Sequence, residues 1–157
     1  MITRSTARLG EYMAEKKIHL RIITPIGIKA DEQVDMVILR CVGGDMGVLP
    51  EHEALSAVLD IGALRIINDG AERRLAVFGG LAEVQDDVLT VLTSVAEWPE
   101  DIDLALAEEE RARFLQRIQE TEDATEIQHD QLLLRRSLVR IEVRSDTLLS
   151  GQEPAEE

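Results

Sequence analysis

Aromatic side chains are scarce in this sequence: one Trp, one Tyr and two Phe among 157 residues. A core must then be filled by Leu, Ile, Val and Ala, and no stock remains for deep pockets lined by rings. Cysteine is scarcer still. Cys41 stands alone, which excludes an internal disulfide, and its place in an apolar run reads as a small buried hydrophobe of a reducing compartment, the cytoplasm. No apolar run approaches the about 18 residues that a membrane-crossing helix needs, and the first fifteen residues lack the apolar segment of a signal peptide. Contact with a membrane is therefore expected to be indirect. Positive charge is also in deficit: 17 Lys plus Arg against 31 Asp plus Glu leave a net −14, which disfavours attraction to nucleic acid or anionic lipid and points to a basic partner.

Residues 1–16 show no sustained period and read as a disordered extension, within which Met13 is an alternative start. From 17 to 98 the sequence has the texture of short strands, in the runs IHLRIITP, VDMVILRCV, ALRIIN, RRLAVF, LAEVQ and VLTVLTSV. Turn residues separate them at Pro25-Ile26-Gly27, Gly43-Gly44-Asp45, Asn68-Asp69-Gly70, Gly79-Gly80 and Asp86-Asp87, of which Asn68-Asp69-Gly70 is the clearest hairpin signal. No helix-length segment intervenes, so an antiparallel β-sandwich is predicted.

After Trp98-Pro99 the texture changes. Between Ile102 and Asp146 there is neither Gly nor Pro, and all seven basic residues beyond position 100 are arginines. A first helix, capped by Asp101 or Asp103, is predicted to end near Thr121, with ETEDATE (Glu120–Glu126) as the loop of a helical hairpin. In the second helix Ile127, Gln131, Leu134, Leu138 and Ile141 form a mostly apolar stripe that can face Ala107, Phe114 and Ile118. The reading is α+β by segregation: an N-terminal antiparallel β-sandwich over 17–98, a C-terminal antiparallel two-helix hairpin over 99–146, and a disordered acidic tail over 147–157.

Chemistry-bearing patterns are weak. Gly43, Gly44 and Gly47 are not followed by Lys and Ser or Thr, so a glycine-shaped β turn is the reading rather than a phosphate cradle. His19, His52 and His129 lack a neighbour at ligand spacing, which argues against a metal. Glu51 and Glu53 flank His52 on alternate faces, and Ser56 lacks a nucleophile elbow, so no catalytic residue is expected. Arg136 and Arg140 stand at i and i+4, where they can grip a phosphate or a carboxylate cluster together; pairing with acids of the facing helix is the favoured alternative.

Two passages go beyond generic strands: VGGDMGVLPEHEAL (Val42–Leu55) and AVFGGLAEVQDDVLTVLTSVAE (Ala76–Glu97). They resemble the signature passages of the epsilon subunits of bacterial F-type ATP synthases, a G-x-x-G-[IV]-L-P-x-H-x-x-L loop and a G-G-x-x-E-V strand pair, and the resemblance runs from about Ile18 to Val143.

That resemblance implies a non-catalytic central-stalk subunit, peripheral at the cytoplasmic face of the cell membrane. Its sandwich would dock on the gamma subunit and the c-ring, coupling proton transport to ATP synthesis. Its hairpin, swinging at Trp98-Pro99, would reach the catalytic alpha and beta subunits and inhibit ATP hydrolysis, with its arginines as cationic contacts. By the same resemblance Asp45 and His52 lie in a loop facing the c-ring and gamma, and Arg136 and Arg140 join the partner interface. In several relatives the folded hairpin binds ATP through an [IL]-D-x-x-R-A motif. Here Ile102, Asp103 and Ala107 match, but Leu106 stands in place of the arginine, while Glu97, Arg113, Arg136 and Arg140 fall where other nucleotide contacts would be. Losing a charge-assisted bond worth about 1.5 to 3 kcal/mol implies weak or absent ATP binding and no resident cofactor. The alternative reading is a free-standing regulatory module with a nucleotide-sensing hairpin.

Overall fold

The computed structural model of the chain describes residues 16–150. Eight strands precede a 3-10 turn (Pro99–Asp101) and two helices: β1 Ile18–Thr24, β2 Gly27–Val34, β3 Met36–Cys41, β4 Gly44–Val48, β5 Leu55–Asn68, β6 Ala71–Gln85, β7 Val88–Leu92, β8 Ala96–Glu97, α1 Leu104–Glu120 and α2 Ala124–Ser150. The hydrogen-bonded order is β2-β1-β7-β6-β5-β3-β4, with β8 also on β6. The long β5 and β6 belong to both layers of a sandwich. Their Leu55–Leu59 and Leu81–Gln85 halves lie with β7, β1 and β2, while their other halves lie with β3, β4 and β8.

Alternation drives the strands inward on one side. In β1, Ile18, Leu20 and Ile22 are fully buried while His19, Arg21 and Ile23 point outward. Among the described residues eighteen buried ones, none aromatic, make the core between the layers, with Trp98 packed at its margin. The composition foretold that aliphatic core.

Several elements differ from expectation. The strands GIKADEQV and GDMGV, β2 and β4, lie outside the runs with strand texture, because one is mostly polar and the other is rich in glycine. Among the described residues both are edges with one neighbour each, where exposed backbone needs no apolar cover. RRLAVF and LAEVQ are one strand, since Gly79 and Gly80 bend β6 instead of turning it. Both have positive φ, +74° and +122°, and a Cβ on Gly80 would sit 2.0 Å from the Leu92 carbonyl oxygen. The bend thus lets β6 pass from one layer to the other against the backbone of β7. One pairing, β1 with β7, is parallel. The hairpin at Asn68-Asp69-Gly70 forms as expected, with Asn68 opposite Ala71 and positive φ at Asp69 and Gly70. Beside it Glu72 receives Arg65 in two bonds of 2.9 and 2.7 Å and Arg74 at 2.7 Å, chiefly the former holding its carboxyl down at about 2.

The helices begin on aspartates. Asp103 accepts from the Leu106 amide at 3.1 Å, and Asp123 accepts from Thr125 at 2.8 Å and Glu126 at 3.2 Å. The hairpin loop is therefore only 121–123, since Ala124–Glu126 is already the first turn of α2. That helix continues past 146 to Ser150. The rest of the expected tail, and the expected extension apart from Lys16, fall outside the described residues.

The seam between α1 and α2 is rotated from the expected stripe. Gln131 and Leu138 are exposed, whereas Asp130 and Ser137 are buried. Asp130 is reached by Arg117 at 3.1 Å, and the Ser137 hydroxyl donates to the Leu133 carbonyl at 3.2 Å. A small serine and a bridged aspartate take places that an apolar count gives to Leu and Ile.

Candidate functional site

The sandwich has two outer faces with opposite fates. On the layer containing β3 and β4, the outward residues Ile61, Ala63, Ala76 and Phe78 are covered by α2, whose Val139 and Val143 join Ala76, Phe78 and Ile102 in a second buried cluster. The hairpin is folded onto this face.

Around that contact stand the arginines. Arg140 grips Glu97 with two bonds of 2.8 Å and comes within 3.7 Å of Glu110 on α1, while its guanidinium lies 4.8 Å from the Phe78 ring centre. Glu97 first, and Glu110 more weakly, push the Arg140 pKa above its ordinary range, so it stays a cation. Arg136 stacks on the same ring at 5.4 Å, and its Nε is buried without a hydrogen-bond partner among the described residues. Arg144 donates to the Pro99 carbonyl at 3.3 Å. On the other flank of α2, Arg135 meets Asp60 at 2.7 Å, holding that carboxyl below its usual range, and Arg74 pairs with Asp146.

The opposite layer leaves an apolar row open. Cross-strand register sets Ile28 beside Ile23, Ile23 beside Leu92, Leu92 beside Leu81 and Leu81 beside Val58, and the Val42 amide donates to the Val58 carbonyl at 3.1 Å. Relative exposures of 56% for Ile28, 49% for Leu92, 53% for Leu81, 56% for Val58 and 69% for Val42 show that no described part of the chain covers the row. The next row on the same face, Asp31, Arg21, Thr90, Glu83 and Ser56, is polar. An apolar band rimmed by polar groups is the pattern of a docking surface.

The family model of the ATP synthase delta/epsilon chain β-sandwich domain matches residues 17–99. An ATP synthase epsilon chain of Bacillus subtilis is 40% identical over 128 residues, covering 82% of this chain and 97% of the relative. This chain belongs to the ATP synthase epsilon family. A second epsilon chain, from Nitratidesulfovibrio vulgaris, is 38% identical over 132 residues, covering 84% of this chain and 98% of its own. Among solved structures, a chain in the cryo-EM structure of the Euglena gracilis mitochondrial ATP synthase OSCP/F1/c-ring superposes with a TM-score of 0.65 at 27% identity, covering 84% of this chain and 81% of that one.

An epsilon chain is a non-catalytic stalk subunit of the synthase. His52 Nδ1 is engaged with the Glu53 carbonyl at 2.8 Å, and Ser56 stands opposite Glu83. The structure separates Asp45 from His52. Asp45 is on β4, across from Arg40 and 2.6 Å from it, lining a groove of about 380 Å³ under α2, while His52 follows the far end of that strand. Glu97, Arg136 and Arg140 do come together around Phe78. Asp103 is engaged in the cap of α1, Arg113 is exposed beside Phe114, and Leu106 is half exposed. Sequence reading overlooked the apolar row in this epsilon chain. Its available signal was two adjacent apolar residues where strict alternation calls for one, as at Leu81-Ala82 and Val91-Leu92.

Proposed function

We propose that this chain links the gamma subunit to the c-ring in the central stalk of an F-type ATP synthase, coupling proton transport to ATP synthesis, with a hairpin that inhibits hydrolysis by the alpha and beta subunits when it leaves the sandwich. The observation that carries the reading is the open apolar row on the face opposite the docked hairpin. It supports a sandwich that holds its partner while the arm is free to move. Gamma is the partner for the row. The end bearing Glu51, His52 and the Asp86-Asp87 turn, tied together by the Glu51 amide donating to Asp87, is the end for the polar loops of the c-ring. No helix among the described residues is long and apolar enough to cross a membrane, and attachment at the cytoplasmic face comes through the complex.

Reconstitution with gamma and the catalytic subunits tests the arm. A chain ending at Trp98 is expected to assemble as the full chain does and to raise ATP hydrolysis several-fold. Assembly without any rise retires the arm as a regulator, and loss of assembly removes the sandwich as the sole anchor.

A further inference from the structure

We infer that the folded arm is held by an internal electrostatic latch, in which Asp60 and Glu97 of the sandwich occupy Arg135 and Arg140 of α2 while Arg74 holds two acids of α2, making docking dependent on salt rather than on nucleotide. The latch rests on the proposed function for its consequence, regulation of hydrolysis. Its existence is a property of the isolated chain.

The contact has a narrow apolar spine. Among the described residues, Val139 and Val143, one turn apart, are what α2 contributes to the second cluster, against eighteen residues in the main core. Two polar rails flank this spine at helical spacing. Along one run Arg135, Glu142 and Asp146, with Arg135 on Asp60 and both acids on Arg74, Asp146 directly and Glu142 at 3.9 Å. Along the other run Arg136, Arg140 and Arg144, with Arg140 on Glu97 and Arg144 on the Pro99 carbonyl. Ion pairs thus border the apolar spine on both sides of the interface that must open, and ion pairs at its rim are screened by salt where a packed core is not.

The second rail carries a further consequence for movement. Glu97 and Pro99 bracket Trp98, the segment on which the arm would swing, and both are gripped by α2 itself. The hinge is therefore held by the arm that it carries. Arg73 adds a hold from the sandwich, its guanidinium 5.5 Å from the Trp98 ring centre. Opening must break the grip on Glu97 and Pro99 together with the burial of Val139 and Val143, which makes release a concerted step between two discrete arrangements.

Glu97 also occupies the face of Arg140 that a ligand would use. A bidentate carboxylate uses the fork that a phosphate would need, so a nucleotide has to displace an acid held about as well as itself. The Arg140 fork is closed from within.

Spin labels at Glu53→Cys on the sandwich and Glu122→Cys at the hairpin tip, both exposed positions, in a Cys41→Ala background, report the arm's distance in the full-length chain. Raising salt from about 0.1 M to about 1 M shortens the screening length from about 10 to about 3 Å and is expected to shift the population from docked to released. Glu97→Gln and Asp60→Asn are each expected to raise the released-to-docked ratio about tenfold at the lower salt, and their combination to weaken the salt response, leaving the part carried by Arg74 with Asp146 and Glu142. Val139→Ala, which removes only spine, should raise release while keeping that response. ATP at about 1 mM should leave the wild-type distances unchanged. A docked fraction indifferent to salt, variants that match wild type, or closure driven by ATP would each overturn the latch. None of these results bears on whether gamma binds.

Discussion

Replacement of Gly80 by valine is expected to destabilise the sandwich by about 3 to 5 kcal/mol, a large part of the total stability of a domain of this size. Two penalties coincide at this position. Its φ of +122° lies in a region that side-chain-bearing residues rarely adopt, and a Cβ would stand 2.0 Å from the Leu92 oxygen and 3.0 Å from Thr93 Cα. Both neighbours are backbone, so no rotamer change relieves the clash. Strand β7 would have to withdraw from β6 beside the Leu81 and Leu92 pair, which also places the apolar row at risk. Gly43, where a Cβ would meet nothing within 4 Å and φ is ordinary, provides the contrast: Gly43→Ala should change stability by less than about 1 kcal/mol. Urea unfolding of the three proteins decides. A Gly80→Val midpoint close to that of wild type would show that the bend in β6 does not need glycine.

The double variant Leu81→Asp, Leu92→Asp is expected to remain folded and to lose gamma binding by a hundredfold or more. Both side chains are about half exposed in the isolated chain, so folding loses little from the change. In a complex they would sit side by side near the middle of the row, where apolar anchors typically contribute about 2 kcal/mol each and a buried unpaired carboxylate costs more. Leu106→Asp offers the control. That leucine is as exposed as Leu81 but lies on α1, away from the row, and its substitution should leave gamma affinity unchanged. Equal affinities for wild type and the double variant would move the docking surface elsewhere on the sandwich.

What the sequence disclosed followed its strongest local signals. Inward Ile18, Leu20 and Ile22 announced β1, Asn68-Asp69-Gly70 announced the β5-β6 hairpin, and the stretch without Gly or Pro announced the helices. The missing strands were those whose surroundings make little demand on their side chains. β2 lies at an edge and carries Lys29, Asp31, Glu32 and Gln33, so its backbone pairing left little trace in composition. The bend at Gly79-Gly80 looked like a turn because both use positive φ; only the approach of β7 distinguishes them.

The candidate site was legible in part. Spacing put Arg136 and Arg140 on one face of α2, and the structure brings them to one phenylalanine ring. Their partner across the sandwich depends on how α2 docks, so Glu97 could be aligned with a position by resemblance but not paired with Arg140 by spacing. The arginines read as contacts for the catalytic subunits are, in the folded arm, largely engaged inside the chain: Arg135, Arg140 and Arg144 hold the arm down. In the proposed function, freeing them would be the same event as presenting them. The apolar row escaped notice for a geometric reason. It is assembled by register from five strands that contribute one residue each, so no run of the sequence displays it.

Titration calorimetry of the full-length chain against the gamma subunit from the same cell tests the stalk assignment most directly. Saturable one-to-one binding at about 1 μM or tighter, lost in the Leu81→Asp, Leu92→Asp variant, is the expected result. An absence of heat, with no co-elution of the two proteins on gel filtration, would contradict the placement of this sandwich on gamma.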